Sequence, residues 1–324
     1  MKGTFIEPGL FRPGCFYFAS FEVSEEAKRR GSMPRSFYSE CGAEKMGLNT
    51  KELIKKYGIR LTKSLGQNFL TDRNVVSRIV DTAELTKDDL VIEIGPGVGS
   101  MTGELATRAG KVIAVEIDRH LIPALKDHLQ SFSNLEIINK DIMKVNVKDI
   151  TVNNQGMRQK VVANLPYYIT TPIIMKLLEE DNDIELMVFM VQKEVAQRMV
   201  AKPGGKDYGA LSVAVQYYAQ PEKVFDVPPH CFVPQPEVDS TIIKLKKNET
   251  PPVYLKDKDM FFKVVKASFG QRRKTLLNAL SNSGALNKNK EEIREILSSV
   301  NINENARGET LSIEQFANLS NQFS

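Results

Sequence analysis

Three glycines at 95, 97 and 99 separate an apolar run, Leu90-Val91-Ile92-Glu93-Ile94, from a helix-like stretch opened by Ser100 and Met101. Glycines at such a junction let the backbone approach a ligand closely and leave amides at a helix start open. Glu116 ends the next apolar run, seventeen residues after Gly99, where an acid can accept from both hydroxyls of a ribose. A second stretch with chemical potential follows the short apolar run Val161-Val162-Ala163: Asn164-Leu165-Pro166-Tyr167-Tyr168. In open α/β sheets, ligands sit just beyond the carboxyl ends of the strands, which is where this amide, proline and aromatic pair arrive. Taken alone, the five residues also fit a proline turn with aromatic packing.

The glycine loop leaves two ligands open. A dinucleotide site follows G-x-G-x-x-G, and here Ser100 takes the place of the third glycine. S-adenosyl-L-methionine has no pyrophosphate to hold, and its sulfonium is positive. Glu93 suits a cationic amino-acid portion, and Asp141, just past the run 135–139, is placed to accept from an adenine amine. These acids favour a methyltransferase over a dehydrogenase.

The elements that must carry these residues are legible in outline. Strands are expected at 90–94, 111–116, 135–139, 160–163 and 184–191, alternating with helices, which predicts a parallel sheet with covered faces. Asp72 caps a helix with Val75, Val76, Ile79 and Val80 on its buried face, and Thr50 caps a shorter one before it. A late strand pair, 224–227 and 240–246, flanks the proline-rich stretch 227–236. Lys202 to Tyr208 reads as a flexible glycine-rich loop. Thr250-Pro251-Pro252 marks a boundary, beyond which four helices are expected at 257–268, 273–283, 289–299 and 312–319. The fold class is therefore α/β, a Rossmann-like class I methyltransferase sheet with a small C-terminal all-α domain. Its expected divisions are 1–47, 48–248 and 249–324.

Composition sets the outer bounds. The chain of 324 residues is long enough for two domains, and 42% hydrophobic with 26% charged residues suits a globular protein. Cys15, Cys41 and Cys231 fit neither a disulfide framework nor a zinc site, the histidines offer no metal cluster, and a reducing, cytoplasmic setting is expected. No apolar run approaches the roughly 18 residues of a membrane span. Residues 1–47 lack helical or alternating periodicity and match neither a signal nor a transit peptide. They are expected to be disordered, or to precede a true start at Met33 or Met46. The net charge of +4 says little, but Lys263, Lys266, Arg272, Arg273 and Lys274 cluster near the first C-terminal helices, a pattern that neutralises phosphates. Lys202, Lys206, Arg60 and Lys63 would extend that track.

Asn164-Leu165-Pro166-Tyr167 is similar to the Asn/Asp-Pro-Pro-Tyr/Phe box of enzymes that methylate amino groups of adenine or cytosine. An exocyclic purine amine is a poor nucleophile because its lone pair is delocalised into the ring. Acceptors aimed at its hydrogens favour a pyramidal nitrogen, and the Asn164 side-chain oxygen with the Leu165 carbonyl would supply them. Tyr167 would stack on the base, contributing about 1–3 kcal/mol. The product ammonium is acidic enough to lose its proton to water, so positioning and electrostatics carry the catalysis.

A wider resemblance rests on Lys63 to Leu70 (KSLGQNFL), Val91 to Gly99 (VIEIGPGVG), Asn164 to Ile174 (NLPYYITTPII), Phe232 to Ser240 (FVPQPEVDS) and Phe269 to Leu280 (FGQRRKTLLNAL). Together these resemble the KsgA/RsmA family of ribosomal RNA adenine dimethyltransferases over about residues 50–320. The resemblance implies that Asn68 and Leu70 close over the cofactor, that Gly95 contacts it through the backbone, and that Glu116 and Asp141 hold its ribose and adenine. Asn164 would bridge cofactor and amine, and Phe232 would face the flipped base opposite Tyr167. The implied substrate is a pair of adjacent adenosines in the 3′-terminal hairpin of 16S ribosomal RNA, each dimethylated on N6 within an immature 30S ribosomal subunit, by a monomer that uses neither metal nor membrane. Two rival readings are a 23S ribosomal RNA adenine methyltransferase of the antibiotic-resistance type and a mainly non-catalytic assembly factor that binds RNA.

Overall fold

The computed structural model describes residues 50–59, 66–154 and 156–323. The expectations for residues 1–47 lie outside them, as do Arg60 and the first three residues, 63–65, of the Lys63–Leu70 motif. Described strands run β1 Phe69–Leu70, β2 Asp89–Ile94, β3 Lys111–Glu116, β4 Leu135–Asn139, β5 Arg158–Asn164, β6 Ile184–Gln192, β7 Ala219–Val227, β8 Phe232–Val233 and β9 Ser240–Lys247. Seven form one sheet in the order β4-β3-β2-β5-β6-β9-β7. The first five are mutually parallel, and β9 runs antiparallel to both β6 and β7. β2 and β5 are neighbours although β3 and β4 separate them in sequence, so the chain reverses direction across the sheet between them. Their carboxyl ends open the crevice in which such sheets bind ligands.

The central strands read as continuous apolar runs because both of their faces are covered. Val91, Val112, Val162, Val188 and Met190 join one buried cluster, while Ile92, Ile113, Val161, Val191 and Phe189 join another. That alternation is the period of two of a pleated strand. Helix α1, Thr50–Lys56, packs Leu53 against Leu121, Leu125 and Leu129. Helix α2, Arg73–Thr82, begins at Asp72, whose carboxylate accepts from the Asn74 and Val75 amides, and it buries Val75, Val76, Ile79 and Val80.

Helix α3, Thr102–Arg108, joins α2 in one buried cluster, and helix α4, Ile122–His128, packs Leu125 with Leu53 of α1. Helix α5, Val147–Thr151, buries Val147 in the cluster on the other side, together with helices α6, Thr170–Glu179, α7, Lys193–Val200, and α8, Ala210–Tyr218. The C-terminal helices are α9 Lys258–Gly270, α10 Leu276–Ser281, α11 Lys290–Ser299 and α12 Ile313–Ser320. Their core of Phe261, Leu276, Ile293, Leu297 and Phe316 also takes Tyr208, Val213 and Tyr217, which lie well before the expected boundary.

The loop 202–208 departs from expectation. It reads as flexible because of Gly204 and Gly205, yet the Gly204 amide donates to the Glu309 carbonyl at 2.7 Å. Arg272 donates to the Lys206 carbonyl at 2.6 Å, and the Tyr208 hydroxyl to the Leu311 carbonyl at 3.0 Å. The glycines serve a tight turn, with φ of +82° at Gly204, and distant partners hold it.

A candidate methyl-transfer cleft

The glycine loop after β2 and Asn164 after β5 stand on adjacent strands, and one cleft joins them. Including its open mouth it measures about 830 Å³. Its walls include Asn68, Leu70, Glu93, Gly95, Glu116, Asn164, Leu165 and Tyr167. Gly95 and Gly97 both adopt left-handed backbone, with φ of +68° and +62°. A side chain on Gly97 would strike the Phe69 ring at 2.7 Å, so this glycine is required by conformation and by contact.

Two acids form the floor. Glu116 is buried; its Oε2 accepts from the Gly97 amide at 3.1 Å and its Oε1 from the Asp118 amide at 2.8 Å. Burial raises its pKa, against those backbone hydrogen bonds. Glu93 is 1% exposed, and its Oε2 has no hydrogen-bond partner. Burial pushes its pKa up to about 8; the nearby Thr102 hydroxyl opposes the shift and the Glu116 charge adds to it. Two buried acids side by side disfavour a pyrophosphate, and a bound cation would draw Glu93 into its ionised form. The cleft therefore fits a sulfonium nucleoside and disfavours a dinucleotide.

A strap from residues 66 to 72 crosses the cleft. Phe69 and Leu70 pair with Val233 and Phe232 in a two-residue antiparallel bridge, and the Thr71 amide donates to the Cys231 carbonyl at 2.8 Å. The Asn164 Nδ2 donates to the Asn68 carbonyl at 2.8 Å. That bond sets the orientation of the amide and leaves Oδ1 without a donor among the described residues. The Leu165 amide donates to the Met190 carbonyl at 3.2 Å, extending the β5–β6 ladder past the strand and fixing the Leu165 peptide. Tyr167 is half-buried, its hydroxyl 2.6 Å from Ser240 Oγ, and burial raises its pKa against that hydrogen bond.

The chain matches the model of the family described as ribosomal RNA adenine dimethylase over residues 58–323. The chain belongs to this family. It is 56% identical over 273 residues to the ribosomal RNA small subunit methyltransferase A of Clostridioides difficile (strain 630), covering 84% of this chain and 94% of that one. It is 53% identical over 274 residues to the protein of the same name from Alkaliphilus metalliredigens (strain QYMF), covering 84% and 95%. Among solved structures, a dimethyladenosine transferase from Plasmodium falciparum superposes with a TM-score of 0.68 at 27% identity, covering 78% of this chain and 95% of that one. The 23S rRNA methyltransferase ErmE superposes with a TM-score of 0.60 at 28% identity, covering 79% and 99%. The fold is thus the class I methyltransferase sheet that the element order predicts, and the protein is a ribosomal RNA methyltransferase.

Two expected site residues are not among those that line the cleft. Phe232 does not line the cleft. It is 1% exposed and packed in the cluster that holds Leu70, Val76 and Val227. Asp141 is also off the cleft wall; its Oδ1 caps a short 3-10 turn by accepting from the Met143 amide at 2.9 Å. The basic residues Lys263, Lys266, Arg272, Arg273 and Lys274 are all exposed, with Arg272 engaged at Lys206 as above.

Sequence reading missed two residues of the cleft region. Ile117 is 50% exposed on the cleft wall directly after Glu116, an apolar platform beside that acid; an isoleucine following a strand-end acid was the available signal. Ser240 is fully buried on β9 and holds the Tyr167 hydroxyl. It closes the Phe232–Ser240 motif, but nothing local links it to a tyrosine 73 residues earlier. Ser240→Ala is expected to free the Tyr167 ring and lower kcat/KM for RNA about 5-fold, roughly one hydrogen bond, with cofactor affinity unchanged. Steady-state kinetics with RNA as the varied substrate checks this; an unchanged kcat/KM would show that the bond does not position the ring.

Proposed function

We propose that the protein uses S-adenosyl-L-methionine to dimethylate N6 of two adjacent adenosines in the 3′-terminal hairpin of 16S ribosomal RNA, on the immature 30S ribosomal subunit in the cytoplasm. The observation that carries this reading is the Asn164 amide. It is fixed by the Asn68 carbonyl with Oδ1 lacking a donor among the described residues, on the strand next to the glycine loop and the two buried acids. The family membership and the names of the relatives support the RNA class.

When bound, the cofactor supplies an electrophilic methyl group on a positive sulfur. Gly95 and Gly97 would approach it through the backbone, Glu116 would accept from its ribose, and Glu93 would balance its positive charge. Ile117 would cover one face of its adenine, and the second oxygen of Asp141 is the candidate partner for the adenine amine. Asn164 Oδ1 and the Leu165 carbonyl would accept the two hydrogens of the target amine, holding the nitrogen pyramidal with its lone pair toward the methyl group. Tyr167 would stack on the base, which must leave its helix to be reached. The ammonium proton would pass to water. Lys263, Lys266, Arg272, Arg273 and Lys274 would hold phosphates, giving affinity that falls with salt. The protein would act as a monomer.

Tritiated methyl transfer to undermethylated 30S particles, followed by mapping of the modified bases, tests the proposal. Dimethylated adenosines in the 16S hairpin are expected. Modification confined to 23S RNA would move the protein to the activity named for ErmE, and binding without transfer would leave an assembly factor.

Among the described residues no helix is long and apolar enough to cross a membrane, and none form a cluster suited to a metal ion.

A further inference from the structure

We propose that Tyr168 is a second stacking platform, at the mouth of the cleft, for the nucleobase next to the one being methylated. The inference rests on the cleft being an RNA-methylating site. Tyr167 and Tyr168 are consecutive but differently placed. Tyr167 is half-buried with its phenol held by Ser240, whereas Tyr168 is 59% exposed although it lines the same cleft. Its hydroxyl has no hydrogen-bond partner among the described residues. A nucleobase can therefore reach the ring from solvent, and aromatic rings that line a cleft offer bases a stacking face.

The backbone opposite is shaped to receive this ring. Gly66 has φ of +59°, and a Cβ there would lie 3.1 Å from Tyr168 Cδ1. One edge of the ring therefore rests on the strap, which limits its motion and leaves the remainder accessible. Pulling one base from its stack uncovers the face of its neighbour, and an aromatic side chain can replace that lost stacking. Every base has such a face, so the platform needs no hydrogen bond, in keeping with the unpartnered phenol. Tyr167 and Tyr168 both line the cleft, so a segment of RNA entering it meets both rings.

The rival occupant is the cofactor itself, with Tyr168 acting as part of the strap's cover. The full chain carrying Tyr168→Phe, Tyr168→Leu or Tyr168→Ala separates the two on undermethylated 30S particles. Phenylalanine is expected to match the wild type, while leucine and alanine lower kcat/KM for the particle about 10-fold. Calorimetric affinity for S-adenosyl-L-methionine is expected to stay within about 2-fold throughout. A cofactor affinity that falls in step with kcat/KM would assign Tyr168 to the cofactor and overturn the proposal. Wild-type kcat/KM in both the leucine and alanine variants would overturn it as well. A wild-type chain that methylates no 30S adenosine would remove the proposed function and this inference together, so the two failures are distinguishable.

Discussion

Asn164→Ala is expected to lower methyl transfer by about 10²–10³-fold, the usual consequence of deleting one preorganised polar group at the reacting atom. The loss should fall mainly on kcat, because Oδ1 is proposed to act on the amine as it becomes pyramidal, not on the resting base. Asn164→Asp is the sharper probe. It restores an acceptor of the same size, so a site that needed only an acceptor would recover. The structure says otherwise: Nδ2 of Asn164 donates to the Asn68 carbonyl at 2.8 Å, and a carboxylate would set oxygen against oxygen there. The aspartate variant is therefore expected to loosen the strap and weaken cofactor binding more than the alanine variant does, while recovering little kcat. Single-turnover transfer combined with calorimetry reads both effects. An aspartate variant with wild-type kcat and cofactor affinity would show that the Asn164–Asn68 bond plays no part in the site.

That bond also shows where sequence reading stops. The parallel strands, the Asp72 cap, the glycine loop and the strand-end acids are local patterns, each set by neighbours a few residues away, and they reappear in the structure close to their expected bounds. The C-terminal helices follow for the same reason, within two or three residues. What was not legible are contacts between distant segments. Asn68 and Asn164 are 96 residues apart, and Leu70 meets Phe232 through a bridge too short to carry a strand pattern. Phe232 is the instructive case: its motif places it beside the strap, but its pairing with Leu70 and its burial are set by a segment 162 residues away. The loop 202–208 is the same lesson at smaller scale, since its glycines describe the turn but not the Glu309, Arg272 and Leu311 contacts that hold it.

Cofactor affinity is expected to rise about 50-fold between pH 6 and pH 8, and Glu93 is the cause. With its pKa pushed up to about 8, the free protein holds this carboxyl mostly protonated at pH 6 and half ionised at pH 8. The sign follows from the raised value. A cationic ligand binds the carboxylate form better, so binding must expel the proton, and that expulsion costs less as pH approaches the pKa. Binding between pH 6 and 7 should thus release close to one proton. The same shift acts on the fold in the opposite sense. Between the ordinary carboxyl range and pH 8 the folded, ligand-free chain holds a proton that the unfolded chain has lost, so its stability falls as pH rises through that window and levels off above it. Ligand and fold therefore oppose one another: the protein accepts a strained buried acid, and the cationic cofactor relieves it. Above about pH 8 the α-amino group of the cofactor begins to lose its own proton and the rise should flatten. Glu93→Gln separates the two titrations, because it keeps the shape while removing the charge. The glutamine variant is expected to bind the cofactor weakly, with no rise between pH 6 and 8, and to gain stability near pH 8. Calorimetry in two buffers of different ionisation enthalpy counts the protons, and urea unfolding across the same pH range reads the stability. If the wild-type protein binds with no proton release at pH 6–7, then Glu93 stays neutral under the cofactor, and the positive sulfur is balanced elsewhere, with Glu116 the remaining acid on the floor of the cleft.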